Sequence, residues 1–211
     1  MTAPVRGVRP DPAFRLVESD LKFRGRIVGV SVDHIRLPGG HETRHEVLHL
    51  PSAVAVVPLL EEAGRAEVVL VEQFRTSLGG YIHEVPAGIL EPDEDPAACA
   101  ARELEEETGF AASRITPLTE IFPIPGTSAH RMHFYLAEGL RPGEQRLEDA
   151  ECLTVVRFPL EDLVRWILDP ACAPPGKDGR PIALVDAKTH VGILHVALRR
   201  REGARAAPGS P

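Results

Sequence analysis

Apolar and polar positions alternate from Leu16 to His49: Phe23, Ile27, Val28, Val30, Val32, Ile35 and Leu37, the turn Pro38-Gly39-Gly40, then Thr43, His45, Val47 and His49. This pattern predicts two or three antiparallel strands with a hairpin at Pro38–Gly40, forming a small sheet of their own ahead of the rest of the chain. The pattern then changes. Ser52 to Leu60 and Ala66 to Phe74 are nearly unbroken apolar runs separated by a polar turn, which predicts a central hairpin buried on both faces. Further strands are expected over Ile115–Ile124, Arg131–Glu138 and Cys152–Phe158, a short helix over Glu161–Leu168 and a last helix over Ala183–Arg201. Tyr81 to Ala87 leads from the second apolar run into the most punctuated stretch of the chain, Gly88 to Phe110.

That stretch predicts a helix with both ends marked. Asp95 suits the N-cap, Pro96 the first helical position, the alanines and Leu104 the interior, and Gly109 the residue after the last turn. Glu103, Glu106 and Glu107 then fall on one side, three and four residues apart. Like charges at that spacing each cost about 0.2–0.5 kcal/mol, and they crowd the end where the macrodipole prefers cations. Something positive is therefore expected among them. Hard divalent cations take carboxylate and carbonyl oxygens, and Mg²⁺ in particular is held by a few carboxylates together with substrate phosphates. The bland alternative is a solvated acidic helix face.

The 211 residues are 43% hydrophobic and 26% charged, the profile of one globular domain with room for an appended segment. A net charge of −7 weighs against broad nucleic-acid or anionic-membrane binding. Cys99, Cys152 and Cys172 are widely spaced and odd in number, which suggests reduced thiols rather than a disulfide framework or a zinc site. Neither a signal-peptide core near the start nor an apolar run of about 18 residues is seen, so a cytoplasmic protein is expected. Residues 1–14 and 202–211 are rich in Pro, Gly, Ala and charge and are expected to fray.

Gly88, five residues, Glu94, seven residues, Arg102-Glu103, an aliphatic residue, any residue, Glu106-Glu107, any residue, Gly109 and an apolar residue match the Nudix box at every fixed position. The chain is identified on this motif as a member of the Nudix hydrolase superfamily. It further resembles the ADP-ribose (ADP-sugar) pyrophosphatase group. Pro125 lies 16 residues after Gly109 and opens Pro125-Gly126-Thr127-Ser128, which looks like that group's substrate loop. Glu72-Gln73-Phe74-Arg75, Glu84-Val85-Pro86-Ala87-Gly88 and Asp186-Ala187-Lys188-Thr189 are similar to other stretches of the group. The resemblance implies an α+β Nudix fold, a mixed β-sheet sandwiched between helices, with an N-terminal antiparallel β-extension that in this group contributes to a homodimer and its substrate pocket. Residues 15–50 are then the extension and 51–201 the hydrolase domain.

The resemblance also implies roles. Glu103, Glu106, Glu107 and the backbone carbonyl of Ala87 hold Mg²⁺, for which Mn²⁺ can substitute, and Arg102 orients the site through Glu94. The base is an acid before the last strand, Glu151 by its distance from the strand end, with Glu148 and Asp149 left open. Arg75 is the candidate clamp for a phosphate or terminal ribose, because a planar guanidinium suits bidentate phosphate recognition; a strand-end surface arginine is the alternative. Glu84 either binds substrate, bridges to Arg75 or is part of the fold, and Pro125 and Gly126 are candidate substrate contacts. The group commonly carries a Glu five residues after the loop proline, where this chain has His130. His130 and His133 are weighed as ligands against ordinary strand or surface residues, and Trp166 is most simply core. Three functions compete: a Mg²⁺-dependent pyrophosphatase of ADP-ribose or a related nucleoside diphosphate sugar, a Nudix hydrolase of another nucleoside diphosphate derivative, and a non-hydrolytic nucleotide sensor.

Overall fold

A computed structural model describes residues 8–62, 64–147, 152–176, 179, 182 and 184–206. Among them the chain divides into two compact units, one of residues up to Pro51 with Ile124–His130, the other of Ser52–Pro123 with Arg131 onward. Of the predicted frayed ends, residues 1–7 and 207–211 lie outside the described residues.

The first unit is an antiparallel meander of β1 (Arg15–Arg24), β2 (Gly29–Arg36) and β3 (Glu42–His49). The β2–β3 turn at Gly39 and Gly40 has φ of 93° and 88°, values that favour glycine. The loop of residues 124–130 folds with this sheet. Leu48 donates its N–H to Thr127 O at 2.8 Å, and the Ser128 hydroxyl donates to Leu48 O at 2.8 Å.

The second unit is a mixed sheet between helices. Its strands are β4 (Ala53–Glu62), β5 (Arg65–Arg75), β6 (Gly80–Glu84), β7 (Ala87–Ile89), β8 (Phe110–Ile121), β9 (Met132–Pro142) and β10 (Leu153–Pro159), and its α-helices are α1 (Pro96–Thr108), α2 (Leu160–Leu168) and α3 (Ala187–Ala206). The order is β10-β5-β4-β9-β8, with β6 beside β5 and β7 beside β4; β4 and β9 run parallel and the other pairs antiparallel. The apolar run of β4 is explained by this sandwich. Ala55, Val57 and Leu59 pack with Leu163, Trp166, Ile193 and Val196 of α2 and α3, whereas Val54 and Val56 pack with Cys99, Ala100 and Leu104 of α1. Each fully buried aliphatic side chain contributes about 1.5–3 kcal/mol, so the strand that positions β7 is firmly held.

The start of β8 and both ends of α3 differ from expectation. β8 starts at Phe110 rather than Ile115, because left-handed Gly109 (φ 70°) turns the chain at once into a ladder in which Phe110 pairs with Pro142 and is buried. α3 starts at Ala187 rather than Ala183, because the Asp186 carboxylate accepts the N–H groups of Lys188 (3.2 Å) and Thr189 (3.0 Å). It also runs on to Ala206, taking in residues expected to fray.

Candidate active site

The helix α1 is built as its sequence suggests. Asp95 accepts from Ala97 N–H (3.0 Å) and Ala98 N–H (3.1 Å), and Pro96 needs no donor at the first position. Its last turn carries no basic residue, so the carbonyls there are capped from elsewhere. Gly109 N–H donates to Glu105 O (2.8 Å), Arg146 N–H to Glu106 O (3.0 Å) and the Gln145 side-chain amide to Glu107 O (2.6 Å).

Arg102 lies at the centre of the acids. Its Nε and Nη2 donate to the two oxygens of Glu94 at 3.0 and 3.2 Å, and its Nη1 lies 2.8 Å from Glu103 Oε1 and 2.9 Å from Glu106 Oε2. The Arg102 hydrogen bonds, with Glu91 N–H (3.0 Å) in support, hold the Glu94 carboxyl down to about 2. The same Glu94 pair pushes the Arg102 guanidinium above its ordinary value. Cys99 sits beside them, and burial pushes its thiol up to about 12, so it is no nucleophile at neutral pH.

Gly88 brings the strand β7 against this cluster. A Cβ at Gly88 would stand 1.9 Å from both Cδ and Oε1 of Glu103, so the carboxylate rests where any other residue's side chain begins. Glu107 accepts from Ala87 N–H at 3.3 Å. Glu103 and Glu107 are only 9% and 4% exposed, and taking ionised carboxylates that far from water is costly unless cations are near. Glu94, Glu103 and Glu106 gather around Arg102, and Glu107 lies on the same helix one turn on from Glu103. The donors are hard oxygens around a backbone notch, which fits a divalent cation of the Mg²⁺ type. As placed, no three His, Cys, Asp or Glu side chains among the described residues converge at metal-ligating distance, since Glu106 faces Arg102 and Glu107 faces Ala87 N–H.

A cleft of about 470 Å³ opens beside this cluster, with Ala87 and Gly88 on one wall and Arg75, Glu84, Asp186 and Lys188 on another; Ile82, Leu78 and Met132 add apolar surface. Arg75, at the end of β5, donates through Nε and Nη2 to the two oxygens of Glu84 at 2.6 and 2.7 Å. Lys188 of α3 reaches the same carboxylate at Oε2, the oxygen that Arg75 Nη2 also reaches, and its Nζ is also 2.9 Å from Asp186 Oδ2. Burial pushes the Glu84 carboxyl up, but the Arg75 hydrogen bonds and the Lys188 charge outweigh it and hold the group below its ordinary value. Sequence reasoning singled out Arg75 and Glu84 but gave Lys188 and Asp186 no role beyond the start of a helix. The signal available was Asp-x-Lys-Thr, an N-cap aspartate followed by a cation in the first turn, where a cation is disfavoured by the dipole and needs another reason.

Glu148, Asp149 and Glu151 lie outside the described residues. Pro125 and Gly126 sit in the exposed turn that folds with the first unit, where Thr127 and Ser128 both donate to Ile124 O. His130 donates from Nδ1 to Pro51 O at 2.6 Å. His133 pairs across the ladder with Glu120, 3.3 Å from Nδ1 to Oε2. Trp166 is buried in the core and stacks edge-on against Phe158 at 5.1 Å.

A strand-turn-helix on a mixed sheet between helices gathers four carboxylates, with Glu103 against Gly88 and Glu107 against Ala87, and both backbone positions line the cleft. A NUDIX domain profile matches residues 49–177. The chain is 34% identical over 179 residues to an ADP-ribose pyrophosphatase of Bacillus subtilis (strain 168), covering 84% of this chain and 89% of that protein. It is 32% identical over 187 residues to a methanol dehydrogenase activator of Bacillus methanolicus, covering 88% and 93%. A crystal structure of an ADP compounds hydrolase superposes with a TM-score of 0.77 at 21% identity, covering 94% of this chain and 100% of that one. The chain belongs to the Nudix family and is a Nudix pyrophosphohydrolase.

Proposed function

We propose that this enzyme cleaves the diphosphate linkage of ADP-ribose or a related nucleoside diphosphate sugar, giving a nucleoside monophosphate and a sugar phosphate. The observation that carries this reading is a cleft lined both by Ala87 and Gly88, against which the Glu107 and Glu103 carboxylates rest, and by Arg75, a guanidinium suited to phosphate. Glu103, Glu106, Glu107 and the Ala87 carbonyl are the proposed ligands of Mg²⁺, with Mn²⁺ as a substitute. When bound, such a cation would supply neutralisation of the diphosphate charge and activation of a water. Glu106 would have to leave Arg102 to take part, with Arg102 still anchored on Glu94. Water adds to one phosphorus as the bridging P–O bond breaks, and its proton goes to an acid of the 148–151 segment, Glu151 first and Glu148 or Asp149 otherwise.

A second substrate is favoured by one feature. The position that commonly holds an acid in the group is His130, whose ring is committed to Pro51 O, and a missing carboxylate can move preference to another diphosphate such as GDP-mannose. Homodimerisation through residues 15–50 is supported by exposed apolar residues on β1, Leu16, Leu21 and Phe23, each about half exposed. Free cysteines at 99, 152 and 172 support a reducing, cytoplasmic setting, and no described helix is long and apolar enough to cross a membrane.

The test is a panel of ADP-ribose, GDP-mannose, UDP-glucose, NADH and 8-oxo-dGTP with Mg²⁺, following monophosphate release, for the parent and for Glu107→Gln. Preference for ADP-ribose with AMP as product, lost in the variant, is expected. Turnover of another member moves the substrate to the second reading, and variant turnover within a few-fold of the parent removes Glu107 from the site.

A further inference from the structure

We infer that Lys188, in the first turn of α3, is a positioning residue of the diphosphate site: its ammonium neutralises Glu84, so that the Arg75 guanidinium, although bonded to that carboxylate, keeps net positive charge to offer a substrate phosphate. The inference rests on the reading of the cleft as a diphosphate site.

The charges run in alternation from the helix to the cleft. Asp186 caps α3, accepting the backbone N–H groups of Lys188 and Thr189 and the Thr189 hydroxyl at 2.6 Å. The positive end of the helix offsets its charge. Lys188 is bound to Asp186 and to Glu84, its side chain 10% exposed, and the Glu84 side chain is 1% exposed. Arg75 uses Nε and Nη2 on Glu84, while its Nη1 makes no hydrogen bond among the described residues. At 39% exposure it is the accessible end of the series. An arginine and a carboxylate alone present no net charge to an anion. With Lys188 on the same carboxylate and Asp186 offset by the helix, the surplus positive charge is presented by Arg75, the most exposed of the four residues, all of which line the cleft.

A second contact fixes the same junction. Val85 N–H donates to Thr189 Oγ1 at 3.0 Å, and Thr189 is fully buried. The first turn of α3 thus holds two consecutive residues at the end of β6, and Lys188 meets Glu84 in one geometry.

The test is a double-mutant cycle of Lys188→Met and Arg75→Ala, read as the Kd of ADP with Mg²⁺ by calorimetry on protein whose circular dichroism matches the parent. Lys188→Met alone should weaken ADP binding about 10-fold and raise KM in step with kcat nearly unchanged, and Lys188→Arg should recover most of the loss. In the Arg75→Ala background Lys188→Met should add nothing, since its effect passes through Arg75. Additive losses, or Lys188→Met binding within two-fold of the parent, overturn the inference. Should the double variant not fold, the KM-against-kcat split of Lys188→Met decides: a fall in kcat with unchanged KM overturns it. If the parent binds ADP yet hydrolyses none of the diphosphates offered, the functional reading fails while the cycle still reports on Lys188.

Discussion

Gly88 and Glu103 approach so closely that a Cβ on Gly88 would stand 1.9 Å from the Glu103 carboxyl carbon. The atoms that would have to yield are the far end of a flexible side chain, so folding survives at small cost while the carboxylate is displaced. Gly88→Ala should therefore fold with a Tm within a few degrees of the parent and lose about 100-fold in kcat/KM, the scale expected for a misplacement of about 1 Å in a catalytic constellation. A folded Gly88→Ala with parental kcat/KM would show that the position of Glu103 does not matter to the chemistry.

Arg102 and Glu94 link the turn before α1 to its last two turns, and pH separates their contribution from the rest. The folded Glu94 carboxyl is held at about 2, below its ordinary value of 4.5. The stabilisation is therefore complete above about pH 4.5 and is lost as pH falls towards 2. Arg102→Ala should cost about 1–3 kcal/mol at pH 7, towards the lower end because the side chain is about a third exposed. The difference in Tm between parent and variant should shrink between pH 4.5 and 2. A difference that stays constant across that window would locate the role of Arg102 in packing alone.

What could be read from the sequence here had local causes. Asp95, Pro96 and Gly109 mark α1 because caps act on their immediate neighbours, and the spacing of Glu103, Glu106 and Glu107 follows from the helical repeat alone. The alternation of residues 16–49 and the turn at Pro38–Gly40 likewise mark β2 and β3 as a hairpin. What was missed depends on contacts distant along the chain. Lys188 meets Glu84 across 104 residues, and Gln145 caps Glu107 across 38. The loop of residues 124–130 resembles a substrate loop in sequence, and nothing in it foretells that it folds with the first unit, where Leu48 offers it both its N–H and its carbonyl. None of these pairings leaves a periodic trace.

Gln145 supplies the donor that the last turn of α1 lacks. Gln145→Ala leaves Glu107 O without that bond, which should cost about 1 kcal/mol. For a chain of this size that is about 2–4 °C in Tm. Gln145→Glu should cost more, since it sets an acceptor and a negative charge against a carbonyl beside three carboxylates. Equal Tm values for the two variants would remove electrostatics from the explanation.

Burial of His83 makes the fold sensitive to acid. It lies on β6, 7% exposed, stacked edge-on against Phe158 at 5.7 Å, and its Nδ1 has no hydrogen-bond partner among the described residues. Burial lowers its pKa from the ordinary 6.5, and Glu72, 3.9 Å away, only partly opposes this. The unfolded chain therefore takes up a proton at this residue before the folded one does, so stability is full above about pH 6.5 and falls as pH drops through the depressed folded value. His133 is shifted in the same direction by burial, so it adds to the slope and does not cancel it. His83→Gln, which cannot take up a proton, should flatten the decline in Tm between pH 6.5 and 5 while leaving that of His133 in place. If the variant declines as steeply as the parent over that range, His83 is not a source of the acid sensitivity, and the double variant with His133→Gln then shows whether His133 carries it.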